Sequence, residues 1–360
     1  MADSRNWDES SFTDRPSRRG TRPRTKTRPA HEDAHRAMVV GVDRGRYSLV
    51  ADLDTTDERA VTAMRARELG RTRIVCGDWV DVVGDVSGGD GTLGRIVRIA
   101  ERSTVLRRTA DDTDPFERIV VANADQLVIV TASADPEPRP RMIDRCVVAA
   151  YDAGMSVLLC MTKTDIADPE PILRLYRGLD IEISQTRQGP NGEIEHLADL
   201  RERLAGRSSV FVGHSGVGKS TLVNALVPHA RRAIGHVNAV TGRGRQTSTS
   251  AVALRLPPLP GESGDPGWVI DTPGVRSFGL AHVSVERVIG AFEDLAEIAE
   301  ECPRGCTHLE REPDCALDAW VAASPDDGTR ELRAGRVDSF RRLIAARMDE
   351  SGDSHGSGRD

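Results

Sequence analysis

The sequence predicts an α/β protein in which a small β-barrel of the OB type precedes a mostly parallel sheet with helices on both faces and a helical segment. Three observations support this. Residues 37 to 110 contain short β-type runs broken by turn residues, residues 115 to 282 alternate apolar runs with helix-like stretches, and residues 283 to 348 combine amphipathic helices with clustered cysteines. Residues 1 to 36 and 349 to 360 are expected to be disordered tails.

The segment before the barrel is basic. Between Arg15 and Arg28 it has seven basic residues and no acidic one, in a stretch rich in Pro and Thr that cannot build a core. We interpret it either as a solvated linker or as an arm that neutralises nucleic-acid phosphates.

The predicted barrel rests on runs of β-forming residues. Four or five short strands suit an OB-type barrel, a fold that often binds RNA, although a structural spacer is an alternative function for it. The runs lie at residues 38–42, 47–53, 73–83 and 94–99.

After the barrel, parallel strands are expected at fully apolar runs, since strands covered on both faces carry few polar residues. The runs lie at residues 127–133, 156–162, 209–213 and 268–271, and the helix-like stretches at residues 142–153, 171–178, 194–204 and 219–227. Two amphipathic helices follow, at residues 283–300 and 338–348.

Composition limits the functional classes. The 360 residues include 49 Lys plus Arg and 56 Asp plus Glu, a net charge of −7, so the chain as a whole is not a basic nucleic-acid binder. No apolar stretch approaches the roughly 20 residues that a membrane helix needs, and the first residues are too polar for a signal peptide. A cytoplasmic protein with no membrane partner is expected.

A phosphate-binding loop follows the third apolar run. Residues 213 to 220 have the pattern GxxxxGKS between a strand and a helix, where the backbone N–H groups of a glycine-rich turn point at nucleotide phosphates. Lys219 is expected to reach the β- and γ-phosphates, and Ser220 to bind Mg²⁺. The predicted phosphate-binding residues are Gly213, His214, Ser215, Gly216, Val217, Gly218, Lys219, Ser220 and Thr221.

The fourth apolar run ends in a second nucleotide motif, DTPG. Asp271 is expected to hold Mg²⁺, and Gly274 to contact the γ-phosphate. Lysine usage supports the phosphate loop and a motif around Lys163, because the chain has only three lysines, Lys26, Lys163 and Lys219, and two of them stand in nucleotide motifs.

A guanine-binding motif precedes the phosphate loop. The run at residues 156–162 leads into Thr162, Lys163, Thr164 and Asp165, similar to the NKxD motif, and the Asp165 carboxylate can accept hydrogen bonds from guanine N1–H and the 2-amino group. Threonine in place of asparagine is expected to remove a tie between this loop and the phosphate loop. Ser184 lies in ISQT, where a loop of the SAK type would approach the guanine O6.

The order of these motifs differs from that of ordinary small GTPases, in which the guanine motif follows the phosphate loop. The predicted domain is therefore a circularly permuted GTPase domain, since joining the old termini and cutting elsewhere leaves the packed strands unchanged. Asp165 also makes ATP an unfavourable ligand, because adenine lacks both donors.

Taken together, these motifs resemble the bacterial small-ribosomal-subunit-dependent GTPases, the RsgA or YjeQ family. The resemblance includes NADQLVIV, IDR, GHSGVGKSTLVNAL, GRGRQTSTS and DTPGVRSFGL. It implies a monomer that binds GTP and Mg²⁺, hydrolyses GTP to GDP and phosphate when stimulated by the 30S subunit late in its maturation, and leaves the rRNA on hydrolysis.

The resemblance also indicates catalytic residues. GRGRQTSTS at residues 242–250 corresponds to the family's first switch, in which Gln246 replaces a histidine, so we expect slow turnover that a partner raises. The candidate catalytic residues are Lys219, Gln246, Thr247, Asp271 and Gly274, and the candidate magnesium ligands are Ser220, Thr249 and Asp271.

A zinc site is predicted near the C-terminus. Three thiolates and one imidazole suit a tetrahedral structural Zn²⁺ with no open position for chemistry. The candidate ligands are Cys302, Cys306, His308 and Cys315. Their spacing, C-x3-C-x-H-x6-C, differs by one residue at two places from the C-x4-C-x-H-x5-C usual in the family.

Two alternative functions remain open at this stage. One is a GTP-gated RNA-binding scaffold with little intrinsic hydrolysis, and the other is a permuted GTPase that acts on another ribosomal particle.

Overall fold

The structure is a computed structural model that describes residues 31–89, 91–109, 117–228, 251–259, 264–273, 278, 280 and 283–348. Contacts divide the chain into Met1–Asp33 and Ala34–Asp360, and the fold described below is that of the second unit. Most of the predicted N-terminal tail and all of the predicted C-terminal tail lie outside the described residues.

The five strands that the structure describes between residues 35 and 99 close into a barrel. They are β1 His35–Asp43, β2 Arg46–Ala51, β3 Arg59–Arg65, β4 Trp79–Gly84 and β5 Gly94–Ile99. β1 pairs with both β2 and β4, and β3 runs parallel to β5, so the barrel has no open edge. Val39, Leu49 and Ile96 fill its interior. The predicted OB-type barrel is confirmed.

Two barrel strands differ from the prediction. The run at residues 73–83 becomes a strand only at Trp79, because Gly77 lies in a turn with a φ of +87° and its ideal Cβ would stand 2.0 Å from the carbonyl oxygen of Ala122. β3 was not predicted, since Val61 and Ala63 alone among its residues are buried and the alternating pattern is correspondingly weak.

A mixed sheet forms the centre of the molecule. Its strands are β8 Gln126–Ala132, β9 Ser156–Thr162, β10 Glu182–Gln185, β13 Ser208–Gly213, β14 Val252–Arg255 and β15 Trp268–Asp271, after a separate hairpin of β6 Val105–Thr109 and β7 Glu117–Ala122. The order is β10-β9-β8-β13-β15-β14, with every pair parallel except the last. A second small hairpin joins β11 Arg187–Gln188 to β12 Ile194–Glu195.

Helices cover both faces of this sheet, as predicted. They are α1 Pro140–Asp152, α2 Glu170–Tyr176, α3 Leu197–Leu204 and α4 Lys219–Leu226. Leu127 of β8 packs in one apolar cluster with Ile143 of α1, and the next residue, Val128, packs in another with Leu222 of α4. Successive side chains of β8 therefore pack into two separate cores, one on each face of the sheet.

β14 joins the barrel to the central sheet. It pairs antiparallel with β15 on one side and with β1 on the other, where Gly41 faces Val252. Arg255 reinforces this junction, because its guanidinium donates to both carboxylate oxygens of Glu58 at 2.9 and 2.7 Å. Burial acts to raise the pKa of Glu58, but hydrogen bonds from the Asp54 N–H and from Arg255, together with the charge of Arg255, hold this pKa below its usual value.

The C-terminal segment is helical and packs on α1. Its described helices are α5 Val285–Ile289, α6 Glu293–Ala299, α7 Ala316–Ala322 and α8 Asp327–Met348. The single helix predicted at residues 283–300 is two helices, because the chain turns at Gly290 to bury Phe292. Arg342 of α8 donates to the buried carboxylate of Asp144 in α1 at 3.1 Å. None of the described helices is long and apolar enough to cross a membrane.

Candidate nucleotide and zinc sites

The phosphate loop joins β13 to α4. Gly213 ends the strand, and Lys219 begins the helix. Gly216 and Gly218 have φ values of +87° and +90°, a left-handed conformation in which a side chain would be strained. The loop between strand and helix contains the predicted residues His214, Ser215, Gly216, Val217 and Gly218, and the helix continues with Ser220 and Thr221. Its N-terminus presents backbone N–H groups and a positive dipole end, which favour an anion.

Lys219 and Asp271 meet at the end of this loop. Asp271 ends β15, which runs parallel to β13, and its carboxylate contacts the Lys219 ammonium. The Lys219 side chain is only 13% exposed and the Asp271 side chain only 22%. Nucleotide phosphates would compete with the Asp271 carboxylate for the ammonium, since both are anionic.

The oxygens at this position suit Mg²⁺. The Ser220 hydroxyl is exposed next to Lys219, and Asp271 supplies carboxylate oxygens. Hard oxygen donors of this kind, together with nucleotide phosphates, are the usual ligands of Mg²⁺. The predicted residues therefore fit the ion. Thr249, the third predicted magnesium ligand, lies outside the described residues, as do Gln246, Thr247 and Gly274.

Thr162 ties the guanine motif to the phosphate loop. Its hydroxyl donates to the backbone carbonyl of Val217 at 2.6 Å and also lies 3.2 Å from the carbonyl of Thr131. The expectation that threonine would remove this tie is wrong, because a hydroxyl at the end of β9 reaches the loop without the longer amide side chain. The two motifs are held together through a buried hydrogen bond.

Replacing Thr162 with the isosteric valine tests this tie. Thr162→Val leaves the Val217 carbonyl without its donor, and a buried hydrogen bond lost in this way costs about 1–2 kcal/mol, so the Kd for GDP should rise about 5- to 30-fold. Titration of GDP measures it. Thr104→Val is the matched control, since Thr104 donates to the Ala124 carbonyl at 2.7 Å elsewhere in the fold. Equal Kd values for Thr162→Val and the unaltered chain would contradict the prediction.

The rest of the guanine motif forms a loop beside β10. The Asp165 side chain is exposed, and its Oδ1 accepts a hydrogen bond from the backbone N–H of Gln188 at 3.1 Å. Thr164 N–H donates to the Thr186 carbonyl at 3.3 Å. These contacts bring the segment after Ser184 against the loop that contains Thr164 and Asp165.

The Ser184 side chain contacts Asp199. The side chain is buried, and its hydroxyl donates to Asp199 Oδ2 at 2.8 Å. The predicted approach of this segment to guanine therefore depends on its backbone rather than on the Ser184 hydroxyl. Sequence reasoning missed Gln188 as a partner of Asp165, because no motif marks a residue of the short β11–β12 hairpin.

The four predicted zinc ligands converge between α6 and α8. Their candidate donor atoms all lie within 4.8 Å of one another. The Nδ1 atom of His308 stands 3.6, 3.5 and 3.9 Å from the sulfurs of Cys302, Cys306 and Cys315. Sulfur and nitrogen ligands of a tetrahedral Zn²⁺ are separated by about 3.6 Å, as follows from bond lengths of about 2.3 and 2.0 Å. The residues therefore fit one structural zinc ion, and the altered spacing does not prevent convergence.

The zinc-type cluster is anchored to the neighbouring helices. The backbone N–H of Ala316, at the start of α7, donates to the Cys302 sulfur at 3.3 Å, and Arg341 of α8 donates to the His308 carbonyl at 2.9 Å. Ligands held by such outer contacts need little rearrangement to bind an ion. The other cysteines, Cys76, Cys146 and Cys160, are core residues whose burial raises the thiol pKa to about 12.

Comparison with known sequences finds one family across the centre of the chain. The model of the RsgA GTPase family matches residues 99–281. A protein of Nitrosospira multiformis named small ribosomal subunit biogenesis GTPase RsgA is 35% identical over 84% of this chain and 88% of its own length. The protein of the same name from Ectopseudomonas mendocina is 40% identical over 72% of this chain and 71% of its own length.

Comparison with solved structures finds the same fold. YjeQ from Thermotoga maritima aligns with a TM-score of 0.59 at 23% identity, covering 86% of this chain and 99% of its own. YloQ, described as a circularly permuted GTPase, aligns with a TM-score of 0.61 at 22% identity, covering 92% of this chain and 99% of its own. These structures share the fold, and the permuted order of motifs predicted from the sequence agrees with it.

Proposed function

Because this chain belongs to the RsgA GTPase family, we propose that it hydrolyses GTP as an assembly factor of the small ribosomal subunit. One observation carries the proposal. The phosphate loop, Asp271 and the Thr162–Asp165 loop lie at the ends of parallel strands of one sheet and meet at its carboxyl edge, where open α/β sheets bind nucleotides.

We propose a task for each part of the site. Backbone N–H groups of the phosphate loop and the α4 N-terminus bind the phosphates, and Lys219 neutralises the charge that develops on them during hydrolysis. Asp165 selects guanine by accepting from N1–H and the 2-amino group. Ser220 and Asp271 would hold Mg²⁺, which supplies further neutralisation of phosphate charge when bound. We propose Gln246, Thr247, Thr249 and Gly274 as the residues that complete the hydrolytic site.

The remaining parts of the chain are proposed to contact the particle. The barrel and the zinc-binding segment flank the nucleotide domain, and we place the rRNA contacts on them, with the basic N-terminal segment as a further phosphate-binding arm. We further propose that the protein is a cytoplasmic monomer. It binds late 30S precursors as the GTP complex, and it leaves the rRNA once GDP and phosphate form.

Sedimentation with ribosomal particles tests this proposal. The protein is mixed with 30S or 50S particles in the presence of GDP or of a non-hydrolysable GTP analogue, and the bound fraction is measured. Binding to 30S that is several-fold stronger with the analogue than with GDP is expected. Preferential binding to 50S, or equal binding with both nucleotides, would contradict the proposal.

A further inference from the structure

The carboxyl end of β8 lies between the two nucleotide loops. β8 pairs with β9, which leads into the guanine motif, and with β13, which leads into the phosphate loop. The nucleotide motifs follow β9, β13 and β15, so β8 contributes no nucleotide motif of its own. Its end nevertheless reaches the same edge of the sheet, and the residue after it is Ser133.

Ser133 makes two hydrogen bonds to consecutive residues of the guanine motif. Its backbone N–H donates to the Thr162 carbonyl at 2.9 Å, and its hydroxyl donates to the Lys163 carbonyl at 2.5 Å. The side chain is only 9% exposed, so water does not readily replace the hydroxyl.

The residue that Ser133 holds is conformationally strained. Lys163 has a φ of +58°, a left-handed conformation that is unfavourable for a residue with a side chain. Such a conformation persists only where its surroundings fix it. Here the segment after β8 fixes both ends of Lys163, since its carbonyl accepts from Ser133 and its ammonium donates to the carbonyl of Asp135.

The orientation of this peptide controls the base-reading carboxylate. Lys163 is followed by Thr164 and then by Asp165, and the Lys163 carbonyl defines the plane of the peptide that leads to them. If the N–Cα bond of Lys163 rotated to relieve the left-handed conformation, the Lys163 carbonyl and the chain after it would change direction. Asp165 would then move with that chain.

We infer that Ser133 is a positioning residue for guanine recognition. Its hydroxyl fixes the Lys163 carbonyl and thereby aims the Asp165 carboxylate at the N1–H and 2-amino groups of the base. The inference rests on the proposed function, since it concerns the nucleotide site described above. It adds to that site a residue from a strand that carries no nucleotide motif.

Selectivity between guanosine and inosine nucleotides distinguishes a positioning role of Ser133 from a merely structural one. Inosine nucleotides lack the 2-amino group, so the ratio of the Kd for IDP to the Kd for GDP reports on the orientation of the Asp165 carboxylate. In the full chain, Ser133→Ala should weaken GDP binding about 10-fold and IDP binding about 2- to 3-fold, so that the ratio falls. Ser133→Thr, which keeps the hydroxyl, should retain the ratio of the unaltered chain.

A matched control removes a similar hydrogen bond away from the site. Ser156 begins β9 at the opposite edge of the sheet, and its hydroxyl donates to the Asp125 carbonyl at 3.2 Å. Ser156→Ala should leave both Kd values unchanged. The melting temperature of each variant establishes that the variant is folded under the conditions of the Kd measurements.

The outcomes separate this inference from the proposed function. A guanine-selective chain in which Ser133→Ala leaves the ratio unchanged, or shifts GDP and IDP equally, would overturn the positioning role alone. An unaltered chain that binds ADP as tightly as GDP would overturn both the proposed function and the positioning role.

Discussion

Asp165→Asn is expected to change the base preference of the site from guanine to xanthine. The carboxylate accepts from guanine N1–H and the 2-amino group, whereas an asparagine oxygen can accept from N1–H while its amide N–H₂ donates to the 2-oxo group of xanthine. A site that loses its paired polar contact with a base rejects that base strongly, so GDP affinity should fall at least about 100-fold and XDP affinity should rise.

Titration of GDP and XDP against both chains measures this exchange. Asp168→Asn is the control, because Asp168 lies three residues away and its Oδ1 accepts from the Glu170 N–H at 3.0 Å near the start of α2. That variant should keep the preference for GDP. The assignment of Asp165 as the base reader fails if Asp165→Asn binds GDP as tightly as the unaltered chain does.

Loss of a zinc ligand is expected to destabilise the C-terminal segment. Cys302→Ser removes a thiolate from the cluster, and structural zinc sites contribute directly to folding, so the free energy of unfolding should fall by at least about 3 kcal/mol. The effect should extend beyond the cluster, because Arg341 of α8 contacts His308 and the same helix packs on α1 through Arg342 and Asp144.

Two measurements check this prediction. Metal analysis should find one zinc per unaltered chain and none in Cys302→Ser, and denaturant unfolding should give the difference in stability. Cys146→Ala is the control, since Cys146 is a buried thiol of α1 outside the cluster and its loss should leave the zinc content at one. A chain purified without zinc that gains no stability when zinc is added would contradict the structural assignment.

The sequence predicts the strands at the candidate nucleotide-binding edge for a physical reason. The parallel strands β8, β9, β13 and β15 are buried on both faces, so they read as continuous apolar runs, and their ends are marked by glycine, lysine and aspartate in recognisable patterns. The four helices predicted between residues 142 and 227 lie within a few residues of the observed ones, whereas the helix predicted at residues 338–348 begins at Asp327 in the structure.

Non-local pairing explains what the sequence does not predict. β14 has four residues and is a strand because β15 and β1 flank it, although β1 lies far away in sequence. Ser133 carries no motif, and its place in the site depends on β8 lying between β9 and β13. β8 and β13 are neighbours in the sheet although other strands lie between them in sequence. Their pairing therefore cannot be read from the order of elements along the chain.

Thr162 shows a third limit of prediction from the sequence. A motif comparison treats threonine at the asparagine position as a loss, because it compares residue types rather than distances. The structure places the hydroxyl 2.6 Å from the Val217 carbonyl, so the smaller side chain makes the contact that the motif requires.

Phosphate release from GTP tests the central claim most directly. It is measured for the purified protein alone and with 30S, 50S or 70S particles, beside a Lys219→Ala control that lacks the ammonium proposed to bind the phosphates. We expect slow release by the protein alone, a large stimulation by 30S particles and no stimulated release in the control. Tight GTP binding without stimulation by any particle would contradict the claim and favour a nucleotide-gated scaffold.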